Sequence, residues 1–266
     1  MPQRTYWDGS TGQYTRCASV AGLDSLTAFT LIWRGVFRDP ALGVTLRLLS
    51  KEEAGTSTGW NLQILNTAGS LRAFRLSGAR ATTSFDARTV DYVARIGVLT
   101  TVIATYDETD GPRIFTGYLG KPLCEDTYVL RTVGVGATSS VAGAFVAGAS
   151  NGSLNSSGRQ LVGESDFGVV IGARLDRHQI EVLYGAQDLF AAVGHNSDLK
   201  LFWDFNQSWG PNASIVDLSG NGFHGTVTGA TYVKPVRRRC PAGWMDMVAA
   251  PAAGVTVRTL AAMGVG

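Results

Sequence analysis

Glu164, Ser165 and Asp166 place two carboxyl groups two residues apart, a spacing that hydrolytic chemistry can use. On an extended strand alternate side chains share a face, so both carboxyls would project together. Retaining glycoside hydrolysis needs such a pair roughly 5–5.5 Å apart. An E-x-D-x-E run would complete the arrangement, but Gly168 stands where the third acid belongs. Glu125 and Asp126 are adjacent and point to opposite faces if extended. The three histidines, His178, His195 and His224, have neither H-x-x-x-H nor H-E-x-x-H spacing, and there is no P-loop. A glycan hydrolase is therefore disfavoured, and Glu164 and Asp166 read as the polar entry to a strand.

The elements that would hold such residues are mostly strands. Phe29 to Phe37, Val44 to Leu49, Trp60 to Leu65, Leu71 to Leu76, Leu99 to Asp107, Arg113 to Leu123 and Phe167 to Ala173 all carry strand patterning or β-branched enrichment. Tyr6–Ser10 and Gln13–Arg16 read as a first hairpin, and Lys51 to Thr58 as the most polar loop of the first half. Thr132 to Gln160 is dominated by Gly, Ala, Ser and Asn; it is either a long surface insertion or a set of small strands. One helix is expected, capped by Asp176 with Gln179 at the capping-box position and Ile180, Leu183 and Tyr184 as its buried stripe.

Composition agrees with an all-β chain. The 266 residues are 45% hydrophobic and only 17% charged, with 33 glycines. A net charge of +2 is too small to imply nucleic-acid binding, and no run reaches membrane-spanning length. Lysine occurs only at positions 51, 121, 200 and 234, which leaves 23 − 4 = 19 arginines; codon usage accounts for that as readily as interface chemistry. Cys17, Cys124 and Cys240 are odd in number and widely spaced, and they read as free thiols. The opening MPQRTYWDGS lacks the apolar core of a signal peptide, so folding in a reducing cytoplasm is the expectation.

The most distinctive stretch runs from Leu199 to Val233. Leu199, Leu201, Trp203 and Phe205 alternate with Lys200, Phe202, Asp204 and Asn206 as a strand, and Asp217-Leu218-Ser219-Gly220-Asn221 leads into a tight turn before Thr226. This W-x-F…D-x-S-G-N-x-x-x-G pattern resembles the hallmark segment of laminin-G-like, concanavalin A-like domains. The aromatic-x-Asp-Gly opening at Tyr6–Gly9 and the Tyr106-Asp107 strand pair extend the resemblance over roughly residues 5–233. It implies an all-β, antiparallel jelly-roll β-sandwich, with one short helix, over residues 1–233.

The resemblance also raises two ligand questions. Many such domains hold calcium at a loop edge, and Asp217, Asn221 and the carbonyls of the Ser219–Gly222 turn could supply hard oxygens, with Asp8 or Asp204. The simpler alternative is that Asp217 and Asn221 bond neighbouring backbone as Asx turns. Jelly rolls that bind sugars use exposed aromatics beside Asn, Asp and Arg. Trp60, Trp209 and Trp244 are nearest to loops, and Trp209 with Asn212 is the best glycan candidate.

Beyond Val233 the character changes to a basic hinge, Lys234 to Pro241, followed by an apolar stretch. Residues 234–266 read as an extended C-terminal arm. Arg237, Arg238 and Arg239 would pair with acidic patches on a partner, while Trp244, Met247, Val257 and Leu260 add apolar contact. Burying four such side chains contributes ~6–12 kcal/mol. These features together lead to a non-enzymatic virion component of a bacteriophage, a capsid or tail decoration protein that docks on virion partners or on itself. The alternative is a carbohydrate-binding adhesion module that recognises a host surface glycan. No cofactor is required by either, calcium apart.

Overall fold

The computed structural model describes residues 4–10, 12–18, 21–24, 26–38, 43–52, 58–68, 70–136, 143–149, 160–186, 189–194, 196–206 and 214–233. The chain divides into two compact units, Met1–Lys234 and Pro235–Gly266, and the second lies outside the described residues.

The first unit is built from two facing antiparallel sheets. In one, β10 (Cys124–Glu125), β9 (Arg113–Tyr118), β8 (Thr100–Tyr106), β3 (Phe29–Phe37), β13 (Val162–Ile171), β1 (Arg4–Asp8) and β17 (Thr231–Val233) pair in that order, and β14 (Leu199–Asp204) also pairs with β13. The other runs β11 (Tyr128–Thr132), β7 (Phe85–Thr89), β6 (Ser70–Gly78), β5 (Gly59–Thr67), β4 (Val44–Glu52), β12 (Phe145–Ala147), β2 (Tyr14–Cys17), β16 (Gly225–Thr228) and β15 (Ser214–Ile215). This is the expected all-β jelly-roll sandwich. Sheets that face each other must each offer an apolar side, and the strands alternate accordingly. Trp7, Phe29, Trp33, Phe74, Phe145, Trp203 and Phe205 meet between the sheets with at most 2% exposure.

The helix-bearing side explains why β3 is apolar on both faces. α1 (Arg177–Gly185) buries Ile180 and Leu183 against Ile32, Ile103, Phe115 and Val169, which point outward from the first sheet. Its capping box is complete: the Asp176 carboxylate accepts from Gln179 N–H, and the Gln179 side chain accepts from Asp176 N–H. Phe202, on the opposite face of β14 from Trp203, joins this second cluster, and so does Leu199.

Three expectations need correction. Tyr6–Ser10 and Gln13–Arg16 do not form a hairpin: β1 pairs with β13 and β17, whereas β2 pairs with β12 and β16 in the other sheet. Lys51 and Glu52 are not loop residues but the end of β4, where Lys51 lies opposite Trp60. Burial of its ammonium is compensated by the Asp24 carboxylate at 2.6 Å and by the Gly143 carbonyl. A second helix, α2 (Leu189–Val193), accompanies α1. Of the two readings left open for the Gly/Ala-rich stretch, the small-strand one holds at Phe145–Ala147, since β12 sits between β4 and β2; residues 137–142 and 150–159 lie outside the described set.

Candidate functional site

The Asp217–Gly225 turn is structural in its geometry. Asp217 is 4% exposed, and its Oδ1 accepts from Phe202 N–H at 2.9 Å and Ser219 N–H at 3.0 Å. Its Oδ2 accepts from the Ser219 hydroxyl at 2.8 Å and Phe223 N–H at 3.0 Å. Asn221 donates to the carbonyls of Leu199 and Lys200. His224 is exposed and accepts from Asp217 N–H through Nδ1. Trp203 Nε1 donates to the Phe223 carbonyl at 2.8 Å, which explains why the aromatic strand and the turn occur together. Both carboxylate oxygens therefore face N–H and O–H donors, and the bond from Ser219 N–H closes an Asx turn. Asp8 and Asp204 are each occupied by a local turn, at Ser10 and Asn206. Among the described residues, no group of three His, Cys, Asp or Glu side chains is gathered at one point.

Glu164 and Asp166 are not presented as an acid pair. Asp166 is the extra residue of a bulge between Ser165 and Phe167. Arg38 lies 3.0 Å from Glu164, and Arg34 lies 3.5 Å from Asp166. Trp60, read as near a loop, is 6% exposed and stacks on Phe29 in the core. Trp209 and Asn212 lie outside the described residues, as do Arg237, Arg238, Arg239, Trp244, Met247, Val257 and Leu260. Cys17 is buried and Cys124 exposed, neither in a disulfide.

The structure instead assembles a site that no spacing in the sequence suggested. At the open edge of the sandwich, the loop after β7 and the β9–β10 hairpin enclose a cleft of about 460 Å³. Its lining includes Asp91, Tyr92, Arg95, Thr116, Tyr118, Lys121 and Asp126. Cavities of this size with a few convergent polar groups are typical of small-ligand sites. Tyr92 is 55% exposed, in contrast to the core aromatics.

The wall is held by unusual backbone. Arg72 and Tyr92 are the non-glycine residues with positive φ among the described ones, at 52° and 65°. Bulky side chains avoid that region, and such strain collects at functional sites. The two also touch: the Arg72 guanidinium carbon lies 4.9 Å from the centre of the Tyr92 ring. Backbone bonds from Tyr92 N–H to Leu71 and from Ala94 N–H to Arg72 fix the loop to β6, and Asp91 accepts from Leu71 N–H.

The opposite wall is equally ordered. Arg95 covers the Tyr118 ring at 4.3 Å, and the Tyr118 hydroxyl donates to the Val93 carbonyl. Asp126, just beyond β10, accepts from the Thr116 hydroxyl. Burial pushes the Asp126 carboxyl up to about 7, and the neighbouring Glu125 charge acts in the same direction against the Thr116 hydrogen bond. Burial likewise raises Tyr118. The cleft thus offers aromatic surface, two cations and a carboxyl that both donates and accepts near neutral pH. Residues 91–95 and 116–126 are separated in sequence, so their convergence depends on β7, β8 and β9 being correctly placed.

The fold is a concanavalin A-like jelly-roll β-sandwich with a cleft at its open edge. Among solved structures, the chain is similar to a proposed carbohydrate-binding protein from Bacteroides ovatus, with a TM-score of 0.57 and 13% identity. The match covers 88% of this chain but 60% of that one. Weaker similarity extends to a heptameric SAP-like pentraxin from Limulus polyphemus, with a TM-score of 0.44, 14% identity and coverage of 86% and 96%. Mouse laminin α1 domains LG4-5 give a TM-score of 0.43, 13% identity and coverage of 65% and 44%. At these identities the likeness is one of fold. No protein-family model matches the chain, and no curated protein matches it in sequence. No helix among the described residues is long and apolar enough to cross a membrane.

Proposed function

We infer that the protein is a non-catalytic carbohydrate-binding module whose ligand occupies the cleft between the loop at 91–97 and the β9–β10 hairpin. The observation that carries this reading is the exposed Tyr92 ring, set in a strained conformation on the wall of a polar cleft. A pyranose has an apolar face that packs on an aromatic ring and hydroxyls that need donors and acceptors at its rim. Arg95, Lys121, Thr116 and Asp126 provide those partners. The similarity in fold to a Bacteroides ovatus protein proposed to bind carbohydrate supports the same reading.

The expectation of a virion decoration protein drew on the signal-free opening, the free cysteines, the Gly/Ala-rich composition and residues 234–266; the last lie outside the described residues, and the similarity in fold favours the carbohydrate-binding alternative. The non-catalytic part of the reading is supported by Glu164 and Asp166, each tied to an arginine.

A glycan array tests the proposal directly. The intact chain is expected to bind, and Tyr92→Ala is expected to weaken the best hit about tenfold, since one aromatic contact contributes about 1.4 kcal/mol. Equal binding by the variant would reject the cleft, and release of new reducing ends from the bound oligosaccharide would reject the non-catalytic assignment.

A further inference from the structure

The cleft has a neighbour. On the helix-bearing side of the first sheet, a second cavity of about 400 Å³ lies between the ends of β8 and β9 and the C-terminus of α1. Thr101, Leu119, Tyr184 and Gly185 contribute to it, and so does Lys121, which also lines the first cleft. The two cavities therefore share Lys121, which is exposed at the tip of the β9–β10 hairpin.

That tip is built and rigid. The Tyr184 hydroxyl of α1 lies 2.8 Å from the Tyr118 carbonyl and 2.7 Å from the Lys121 carbonyl. Lys121 N–H closes the turn on the Tyr118 carbonyl at 2.9 Å. Position 117 must be glycine for this packing, because a Cβ there would sit 2.2 Å from the Tyr184 ring. Leu119, by contrast, leaves its side chain 75% exposed beside the second cavity.

We propose that the two cavities form one continuous binding groove, so that the ligand is an unbranched oligosaccharide crossing the hairpin ridge at Lys121 rather than a single terminal sugar. This rests on the carbohydrate-binding reading above. A monosaccharide fills one cavity and cannot reach the other. A longer chain places one ring against Tyr92, hydrogen-bonds Lys121 at the crossing, and lays a further ring against Leu119 and the α1 terminus. Contacts in the second cavity add to those in the first because both engage one covalent ligand.

The test is the dependence of affinity on chain length, measured by titration calorimetry with cellulose-, chitin- and mannan-derived oligosaccharides of one to six residues. For the series that binds, affinity is expected to rise at least about tenfold beyond the disaccharide, which corresponds to 1.4 kcal/mol of added contact. Gly185→Phe supplies the complementary variant, because among the described residues no atom beyond its own helix and chain neighbours lies within 4 Å of a Cβ at that position, so the substitution fills the cavity without disturbing the core. It is expected to abolish the gain from the longer ligands and leave the shortest ones unchanged. A wild-type affinity that levels off at the disaccharide, or a Gly185→Phe protein that keeps the full gain, overturns the groove while leaving the Tyr92 cleft standing. Absence of binding to any member of all three series overturns both.

Discussion

A buried aspartate and a half-buried one, at opposite ends of the sandwich, show how differently the same side chain can be supplied with partners. Asp217 receives four hydrogen bonds, two on each oxygen, from groups within the Leu199–Gly225 segment. Asp126 is supplied with one side-chain donor, Thr116, and sits beside Glu125 in the wall of an open cleft. A carboxylate surrounded by donors stays ionised and fixes its neighbours in place. One that is half-buried with few donors holds its proton toward neutral pH and keeps the ability to meet a hydroxyl with either role.

Substitutions at the two positions should separate these roles. Asp217→Ala leaves Phe202, Ser219 and Phe223 donors without their acceptor, and it is expected to lower unfolding stability by about 3–5 kcal/mol in urea titrations. Any protein that remains folded should bind glycan as before. A loss below about 1 kcal/mol would show that water replaces the carboxylate and that the turn is not the clamp described.

Asp126→Asn should act in the opposite direction. The Asp126 pKa is raised on folding from 3.8 to about 7, so between these values the unfolded chain releases a proton that the folded chain keeps. This group's contribution to stability is therefore greatest below about pH 4 and declines as the pH rises through about 7. The asparagine variant lacks that decline. Its stability relative to the parent should increase across this window, reaching about 2 kcal/mol at pH 8 after allowance for solvent access. Parallel pH profiles of the two proteins would remove Asp126 from the comparison.

The smallest effect on stability belongs to Tyr92→Gly. Relief of a left-handed conformation is worth about 1–2 kcal/mol, but the added chain entropy and the lost Arg72 stacking offset it. Melting should change by no more than about 1 kcal/mol while glycan affinity falls as in the alanine variant. A large destabilisation would turn Tyr92 from a ligand platform into a packing residue.

These contrasts also explain what could be read in advance. The strand at Phe29–Phe37 and the Asp176–Gln179 capping box are local patterns, and both are present as read. The Trp203-to-Asn221 signature is conspicuous because a single hydrogen-bonded unit of about two dozen residues needs it, and it reports fold rather than ligand. The cleft was illegible for the converse reason. Asp91 and Tyr92 occupy a loop with no periodicity, Asp126 follows a two-residue strand, and neither segment carries information about the other. Lys51 misled because a charged side chain ordinarily signals solvent, and only the tertiary arrangement supplies the Asp24 partner that permits its burial. The hairpin read at Tyr6–Arg16 is absent because β1 and β2 find their ladder partners in different sheets, at distant positions that a local pattern does not name.

That last arrangement has a consequence for how the molecule comes into being on the ribosome. The partners of β1 are at 162–165 and 231–233, and those of β2 at 145–147 and 226–228. β1 and β2 thus wait for strands made much later, because their described ladder partners lie more than 120 residues downstream. Such long-range pairing is slow and leaves strand edges open in the meantime. The central meander of β4, β5 and β6 can close as soon as it emerges, but the two sheets lock together only when the segment ending at Val233 arrives to join the N-terminal strands.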